Sequence, residues 1–271
     1  MFPSPEGKQY RGLAATQFLA DGEVAVSIPS GLSLSIQAAL SSPLASPLSE
    51  GLRSSKLDEF SALAVYLLFE AMNETSFYRP FLCSLPRHIP LPVFSPIESL
   101  KEGAYGNETR FLRAVETMGK VMADNYELVS RELFDRIPTN FPSKPSFGAW
   151  LWSCSVIFSR AWGVPVPQEA AWANGLGVDS MHVLAPVADM VNHHQTMRKV
   201  KRNSDGGIEI VAGKALERGE EITISYGDKC NLELLAHYGF VLPSNPTLKC
   251  EWDRSVAKRL SDMYRLRASR L

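Results

Sequence analysis

The sequence predicts an α+β protein, with a frame of short strands at both ends of the chain and a helical insert between them. Two Gly-Glu turns, one near each end, carry this expectation. Leu19-Ala20-Asp21-Gly22-Glu23-Val24 feeds an alternating run through Val24, Val26 and Ile28. Leu216-Glu217-Arg218-Gly219-Glu220-Glu221 feeds a second run, with Ile222 and Ile224 on one face and Thr223 and Ser225 on the other. The echo is too short for a true repeat, but it places both ends in one sheet system. The third observation is the middle of the chain, where long apolar stretches at helical spacing dominate.

Taken in order, residues 10–29 read as two short strands around a turn. Residues 41–55, rich in Ser, Pro and Gly, read as a loop. The run 57–72 is apolar almost all round and predicts a buried helix, whereas 80–96 is punctuated by prolines and irregular. Residues 107–134 predict a long amphipathic helix broken once, and 138–145 a loop. The stretch 147–160, with Trp150, Trp152 and Phe158, predicts a strongly apolar helix. After Trp162 the chain reads as loop to Gly177, with short elements up to Asp189. Residues 199–202 and 208–211 predict a hairpin around Asp205-Gly206-Gly207. A short helix over 231–238 and a basic amphipathic helix over 254–270 close the chain. The expected division is 1–50 and 161–245 as the two parts of one domain, 51–160 as its insert, and 246–271 as a C-terminal helix.

With 271 residues, 45% hydrophobic and 21% charged, the chain can bury a proper core. Its net charge of -1 gives no long-range pull toward nucleic acid or an anionic membrane, so neither is an expected partner. No apolar run is long enough for a transmembrane helix. The N-terminus has neither a basic nor an apolar region of a secretory signal. The 4 cysteines (Cys83, Cys154, Cys230, Cys250) are widely spaced, suggesting neither a zinc cluster nor a disulfide framework; a reducing, intracellular compartment is expected. Two sequons, at Asn73 and Asn107, are then chance matches.

Candidate chemistry gathers in two stretches. Ala188-Asp189-Met190-Val191-Asn192-His193-His194 puts a polar pair after an apolar turn, where backbone amides can leave regular structure. Ser225-Tyr226-Gly227 ends the last strand with a phenol beside a glycine, which lets a ligand come close. Each has a plainer explanation when taken alone, as a packed core tyrosine or a helix-ending loop. A metal site on Asp189, His193 and His194 is disfavoured, because no His-Glu-x-x-His pattern is present and the chain there is not helical. No Gly-x-Ser-x-Gly elbow or phosphate loop occurs.

Taken together these segments resemble the two signature stretches of SET-domain protein methyltransferases. Tyr10-Arg11-Gly12-Leu13-Ala14-Ala15 is similar to that family's first cofactor-binding segment. Ser159-Arg160-Ala161-Trp162 resembles the Ser-Arg segment of the Rubisco large-subunit methyltransferase branch, and Asn231-x-Glu233 with His237-Tyr238-Gly239-Phe240 resembles that branch's ending. Five weak motifs in the right order around an insert of fitting size make a specific signal. The resemblance implies a SET fold with a pseudoknot-like C-terminal crossing, and methyl transfer from S-adenosylmethionine, leaving S-adenosylhomocysteine, to a lysine of a non-histone protein. It implies cofactor contacts at Arg11, Gly12, Leu13, Arg160, Asp189, Asn192, His193 and Tyr226. It implies Tyr226 as the catalytic residue and Trp162, Tyr238 and Phe240 as the substrate wall, with no metal.

A monomer is expected, in the cytoplasm or nucleus, with a chloroplast location compatible with a removed transit peptide. An actin-histidine-directed group in the wider branch has a small polar residue where this chain has Trp162; an aromatic wall suits a lysine stem better than an imidazole that needs a hydrogen bond. Relatives in the branch often place another tyrosine where this chain has Arg198-Lys199-Val200-Lys201, and carry a helical substrate-binding domain where only residues 243–271 follow here. A silent SET-like interaction module and a histidine-directed enzyme are the competing readings.

Overall fold

The structure is a computed structural model that describes residues 2–3, 9–103, 107–137, 140–166, 170–195, 200–247 and 250. The predicted helix over 254–270 lies outside the described residues. Along the chain run β1 (Phe2–Pro3), β2 (Gln9–Tyr10), β3 (Leu13–Ala14), β4 (Val24–Ile28), β5 (Leu34–Ser35), α1 (Ile36–Ala39), α2 (Ala45–Arg53), α3 (Glu59–Met72), α4 (Arg79–Ser84), α5 (Ile97–Glu102), α6 (Thr109–Val129) and α7 (Phe147–Arg160). Then come β6 (Trp162–Pro165), β7 (Ser180–Leu184), β8 (Asn192–His193), β9 (Val200–Arg202), β10 (Ile208–Val211), β11 (Glu221–Ile224) and α8 (Asn231–Tyr238). The chain divides into two compact units, Met1–Ser33 with Leu184–Asp228, and Leu34–Val183 with Lys229–Leu271.

The first unit joins both ends of the chain, as the paired turns predict. One sheet runs β4-β10-β9 and another β3-β11-β8. In the second, β11 pairs antiparallel with β3 (Ile222 opposite Leu13) and parallel with β8 (Thr223 opposite Asn192). Ile222 and Ile224 are buried, as the alternation requires. The two echoing turns pair with each other, Leu19 and Leu216 exchanging both backbone hydrogen bonds at 2.9 Å. Each turn is closed the same way, the Ala20 N–H donating to Glu23 Oε2 (2.8 Å) and the Glu217 N–H to Glu220 Oε2 (2.6 Å). Gly22 and Gly219 hold the matching positive φ, 85° and 91°, that a side chain would resist. The hairpin of β9 and β10 forms at the predicted Asp205-Gly206-Gly207; a Cβ on Gly207 would collide with the Ile28 carbonyl.

The second unit is helical around a small β5-β7-β6 sheet. Asp58 caps α3 by accepting from the Ser61 N–H at 2.6 Å, and α3 then buries Leu63, Ala64, Leu67 and Leu68 almost completely. Each buried leucine of this kind stabilises the fold by roughly 1.5–3 kcal/mol. Ser146 caps α7 in the same way, and the Trp150 indole N–H donates to the Met122 carbonyl at 3.1 Å, tying α7 to α6. Helix α6 passes into a π-turn over Ser130–Phe134, the single break the pattern predicted. Glu59, in the first turn of α3, grips β7 twice, accepting from the His182 N–H at 2.8 Å and lying 2.7 Å from its Nδ1.

Four local expectations need correction. Residues 45–53 are helical, because Leu44, Leu48 and Leu52 bury one face and outweigh a Ser-, Pro- and Gly-rich composition. The 80–96 stretch contains α4, begun by a proline in its first turn, where the missing N–H costs little. Residues 162–165 are a strand, not a loop, paired with β7 in the register Trp162–Val183. Cys230 and Cys250, 20 residues apart, form a disulfide that the spacing gave no reason to expect.

That bridge closes a built corner. Glu233 accepts from the Cys230 N–H at 2.9 Å, while Asn231 exchanges two hydrogen bonds with Leu242 and receives another from Asn245. The Glu233 carboxylate lies within 4.8 Å of both sulfurs, which are bonded to each other. No helix among the described residues is long and apolar enough to cross a membrane.

Candidate active site

In the first unit the site is built on the ends of β8 and β11. Asn192 spends both protons of its amide, donating to the Arg11 carbonyl and to Glu221 Oε1, each at 2.8 Å. It therefore fixes the Arg11–Gly12 main chain against the start of β11. Glu221 is the residue the sequence reading missed. Its second oxygen accepts from the Tyr10 hydroxyl at 3.0 Å, so one carboxylate joins β2, β8 and β11. Burial, and then the bond to Glu221, push the Tyr10 phenol above its usual range. The one signal was position, since Glu221 opens the strand on the face opposite Ile222 and Ile224.

His193 and Tyr226 form the second pair. The Tyr226 N–H donates to His193 Nδ1 at 3.0 Å, so in the neutral ring the proton sits on Nε2. The rings tilt against each other at 5.1 Å, and the His194 N–H donates to the Ile224 carbonyl at 2.6 Å. The Tyr226 hydroxyl donates to the Val191 carbonyl at 2.8 Å. Its only proton is thereby committed to the protein, so toward any other group the oxygen can only accept. A fixed oxygen that can only accept suits a positively charged or N–H-bearing ligand. Leu13 is paired opposite Ile222, and Asp189 lies in a short 3-10 turn, its N–H donating to the Ala185 carbonyl at 3.1 Å.

The remaining predicted residues lie in the second unit. Arg160 is the last residue of α7 and half-buried. Two residues on, the Trp162 indole N–H is buried and has no hydrogen-bond partner among the described residues. Trp150 and Trp152, by contrast, both donate to carbonyls, of Met122 and Pro86. An orphaned buried donor destabilises a fold by about 1–3 kcal/mol, so such a group points to an acceptor that a ligand brings. Tyr238 ends α8, Gly239 caps it at φ 78°, and Phe240 follows with its ring 6.2 Å from Tyr238. The structure thus joins Arg11, Asn192, His193 and Tyr226 in one cluster, and sets Tyr238 and Phe240 side by side.

The SET-domain family model matches residues 10–227, from the strand that carries Tyr10 to the glycine after Tyr226. This chain belongs to the SET-domain family. A SET chain from Arabidopsis thaliana, "Protein SET DOMAIN GROUP 40", is 28% identical over 275 residues, covering 90% of this chain and 52% of that one. The human "Actin-histidine N-methyltransferase" is 27% identical over 238 residues, covering 86% of this chain and 38% of its own length. This chain therefore spans about half, or less, of these relatives.

Among solved structures, the SET domain of LSMT bound to lysine and AdoHcy superposes with a TM-score of 0.71 at 20% identity, over 86% of this chain and 50% of that one. Rubisco LSMT bound to AdoMet matches with a TM-score of 0.69, also at 20% identity, over the same shares. The SET fold expected from the resemblance is the fold observed.

Proposed function

We propose that this SET-domain chain is an S-adenosylmethionine-dependent protein methyltransferase whose target is a lysine of a non-histone protein. The observation that carries the proposal is the Tyr226 hydroxyl, locked by donation to Val191 and left with only acceptor capacity. The cofactor supplies an electrophilic methyl group on a sulfonium. The protein's task is to align a neutral amine with it and to place oxygen and aromatic faces where positive charge resides.

The chemistry of the residues in each unit, taken separately, suits that cofactor. The main chain at Arg11–Gly12, fixed by Asn192, and that of Asn192–His193, fixed by β11, offer rigid backbone to an adenine. Arg160 offers a forked cation for a carboxylate. A free lysine has a pKa near 10.4, so presenting its neutral form at pH 7.4 costs about 4 kcal/mol. Desolvation against aromatic walls such as Trp162, Tyr238 and Phe240 lowers that cost, as does the like charge of a sulfonium.

The nature of Trp162 supports lysine. Its aromatic face suits the long apolar stem of a lysine, whereas an imidazole is polar at both nitrogens and, once methylated on one, keeps an N–H on the other that needs an acceptor beside the wall. An indole is a donor only. A histidine target is the second reading, favoured by the relatives named as actin-histidine methyltransferases.

The test begins with calorimetric titration of S-adenosylhomocysteine into the purified chain. Binding should weaken about 30-fold in Arg160→Ala, the loss of one charge-assisted pair of about 2 kcal/mol. Labelling a proteome with tritiated S-adenosylmethionine should then mark a lysine. Tyr226→Phe should lower turnover by roughly 100-fold with cofactor affinity nearly unchanged. No binding by the folded chain would favour the silent interaction module, and label on histidine would overturn the choice of target.

A further inference from the structure

Immediately before the Asn-His segment, the backbone adopts a conformation that its sequence opposes. Val187 sits at φ 70° and ψ -51°, and the Ala188 N–H donates to the Pro186 carbonyl at 2.8 Å. Together these define a three-residue γ-turn of the strained hand. Positive φ among the described residues is otherwise taken by glycines and Ser55. For a β-branched side chain it is a genuine outlier.

The valine side chain is 49% exposed. Hydrogen bonds and packing of the surrounding backbone oppose the strain. The Met190 N–H donates to the Val187 carbonyl at 3.0 Å and the Asp189 N–H to Ala185 at 3.1 Å, while Ala185, Ala188 and Val191 are buried to 2% exposure or less. Strain of this kind shifts a local equilibrium roughly 5- to 150-fold against the strained form. A glycine here would remove that burden and leave these backbone hydrogen bonds in place.

We infer that Val187 is a positioning residue: the turn it centres sets the Ala188–His193 backbone in its ligand-ready form, and the valine holds that form in balance with a relaxed one, so that ligand binding completes the segment. This rests on the reading of Asn192–His193 as cofactor-binding backbone. The energetic logic is population shift. A ligand that needs the strained turn binds more weakly by the fraction of chains that have left it.

Two substitutions act in opposite directions on the turn without touching the cluster around Asn192 and Tyr226. Val187→Gly makes positive φ free of strain. Val187→Pro fixes φ near -65° and forbids the turn, yet deletes no donor in use among the described residues, because the Val187 N–H donates to none. Calorimetric titration with S-adenosylhomocysteine should give roughly threefold to tenfold tighter binding for Val187→Gly, and at least about tenfold weaker binding for Val187→Pro. Hydrogen exchange of a peptide spanning 185–194, measured without ligand, should slow in Val187→Gly.

Val187→Gly at or below wild-type affinity overturns the inference, as does wild-type affinity in Val187→Pro. Should Val187→Pro fail to fold, Val187→Gly decides alone. If the folded wild-type chain binds no S-adenosylhomocysteine, the cofactor reading has failed separately. The exchange comparison then decides on its own, unchanged exchange overturning the inference.

Discussion

Replacing Asn192 by aspartate keeps the shape of the side chain and inverts its chemistry. The native amide donates one proton to the Arg11 carbonyl and one to Glu221 Oε1, both at 2.8 Å. Alanine would lose one neutral and one charge-assisted hydrogen bond. At this half-exposed position that amounts to about 2 kcal/mol. Aspartate would lose both and also set a second carboxylate against Glu221, adding roughly 1–2 kcal/mol of repulsion. For a chain of this size the melting midpoint should fall by about 4–8 °C for Asn192→Ala and by a further 2–8 °C or so for Asn192→Asp.

Two controls isolate the charge. Below about pH 4 the introduced carboxyl protonates, and the gap between the two variants should close. Adding Glu221→Gln to Asn192→Asp should recover the repulsive part at pH 7. Denaturant midpoints with an unchanged slope are the assay, accompanied by titration with S-adenosylhomocysteine, whose affinity should fall as the Arg11–Gly12 backbone loosens. An Asn192→Asp chain as stable as Asn192→Ala would refute the assignment of Asn192 as the donor that ties β8 to β11.

Further outcomes follow from other parts of the chain. Trp162→Phe removes the buried indole N–H that has no partner among the described residues, so the free protein should be unchanged or slightly more stable, while the KM for the proposed protein substrate rises; an unstable variant with an unchanged KM would show the N–H to be structural. Reducing the Cys230–Cys250 bridge should lower stability by about 3 kcal/mol, the loop-closure value for roughly 20 residues, and a Cys230→Ser, Cys250→Ser chain should be insensitive to reductant. The Glu217 N–H, and less so Lys214, hold the Glu220 carboxyl below its usual pKa. Its contribution is therefore present above about pH 4.3 and lost as pH falls through the lower folded value. The deficit of Glu220→Gln at pH 7 should shrink toward pH 3, and a constant deficit would contradict the charge argument.

What the sequence disclosed depended on the range of the interactions involved. Helix α7 is legible end to end because its cap, Ser146, and its last residue, Arg160, flank an apolar run with no competing partner. The extent of α8 is equally plain, bounded by Gly239. Helix α2 is hidden by composition, since Pro47 falls in its first turn and leucines four apart carry the burial. Strand β6, with Gly163 and Pro165, has no strand character of its own and exists because β7 pairs with it. At the site, Asn192, His193 and Tyr226 are recognisable in short motifs. Glu221 is not, because its role depends on partners 29 and 211 residues away. Nor is the turn at Val187, where the residue type argues against the conformation it adopts.

The paired Gly-Glu turns show how scaffold and site are separated within the first unit. Aligned by their glycines, Leu19, Gly22 and Glu23 match Leu216, Gly219 and Glu220. Those shared residues make the same bonds in both copies, the leucines pairing with each other, the glycines taking positive φ, and each glutamate closing its turn. The copies diverge where the strand begins. The first has Val24, exposed at the edge of β4; the second has Glu221, which holds Asn192 and Tyr10. Exchanging the two would leave both turns intact, so Glu221→Val should keep the fold of the β11 turn while releasing the Arg11–Gly12 and Asn192 backbone. The chain would then retain most of its stability and lose affinity for S-adenosylhomocysteine. Loss of the fold instead would mean that Glu221 belongs to the scaffold, and that the pseudo-symmetry of the turns does not mark where structure ends and chemistry begins.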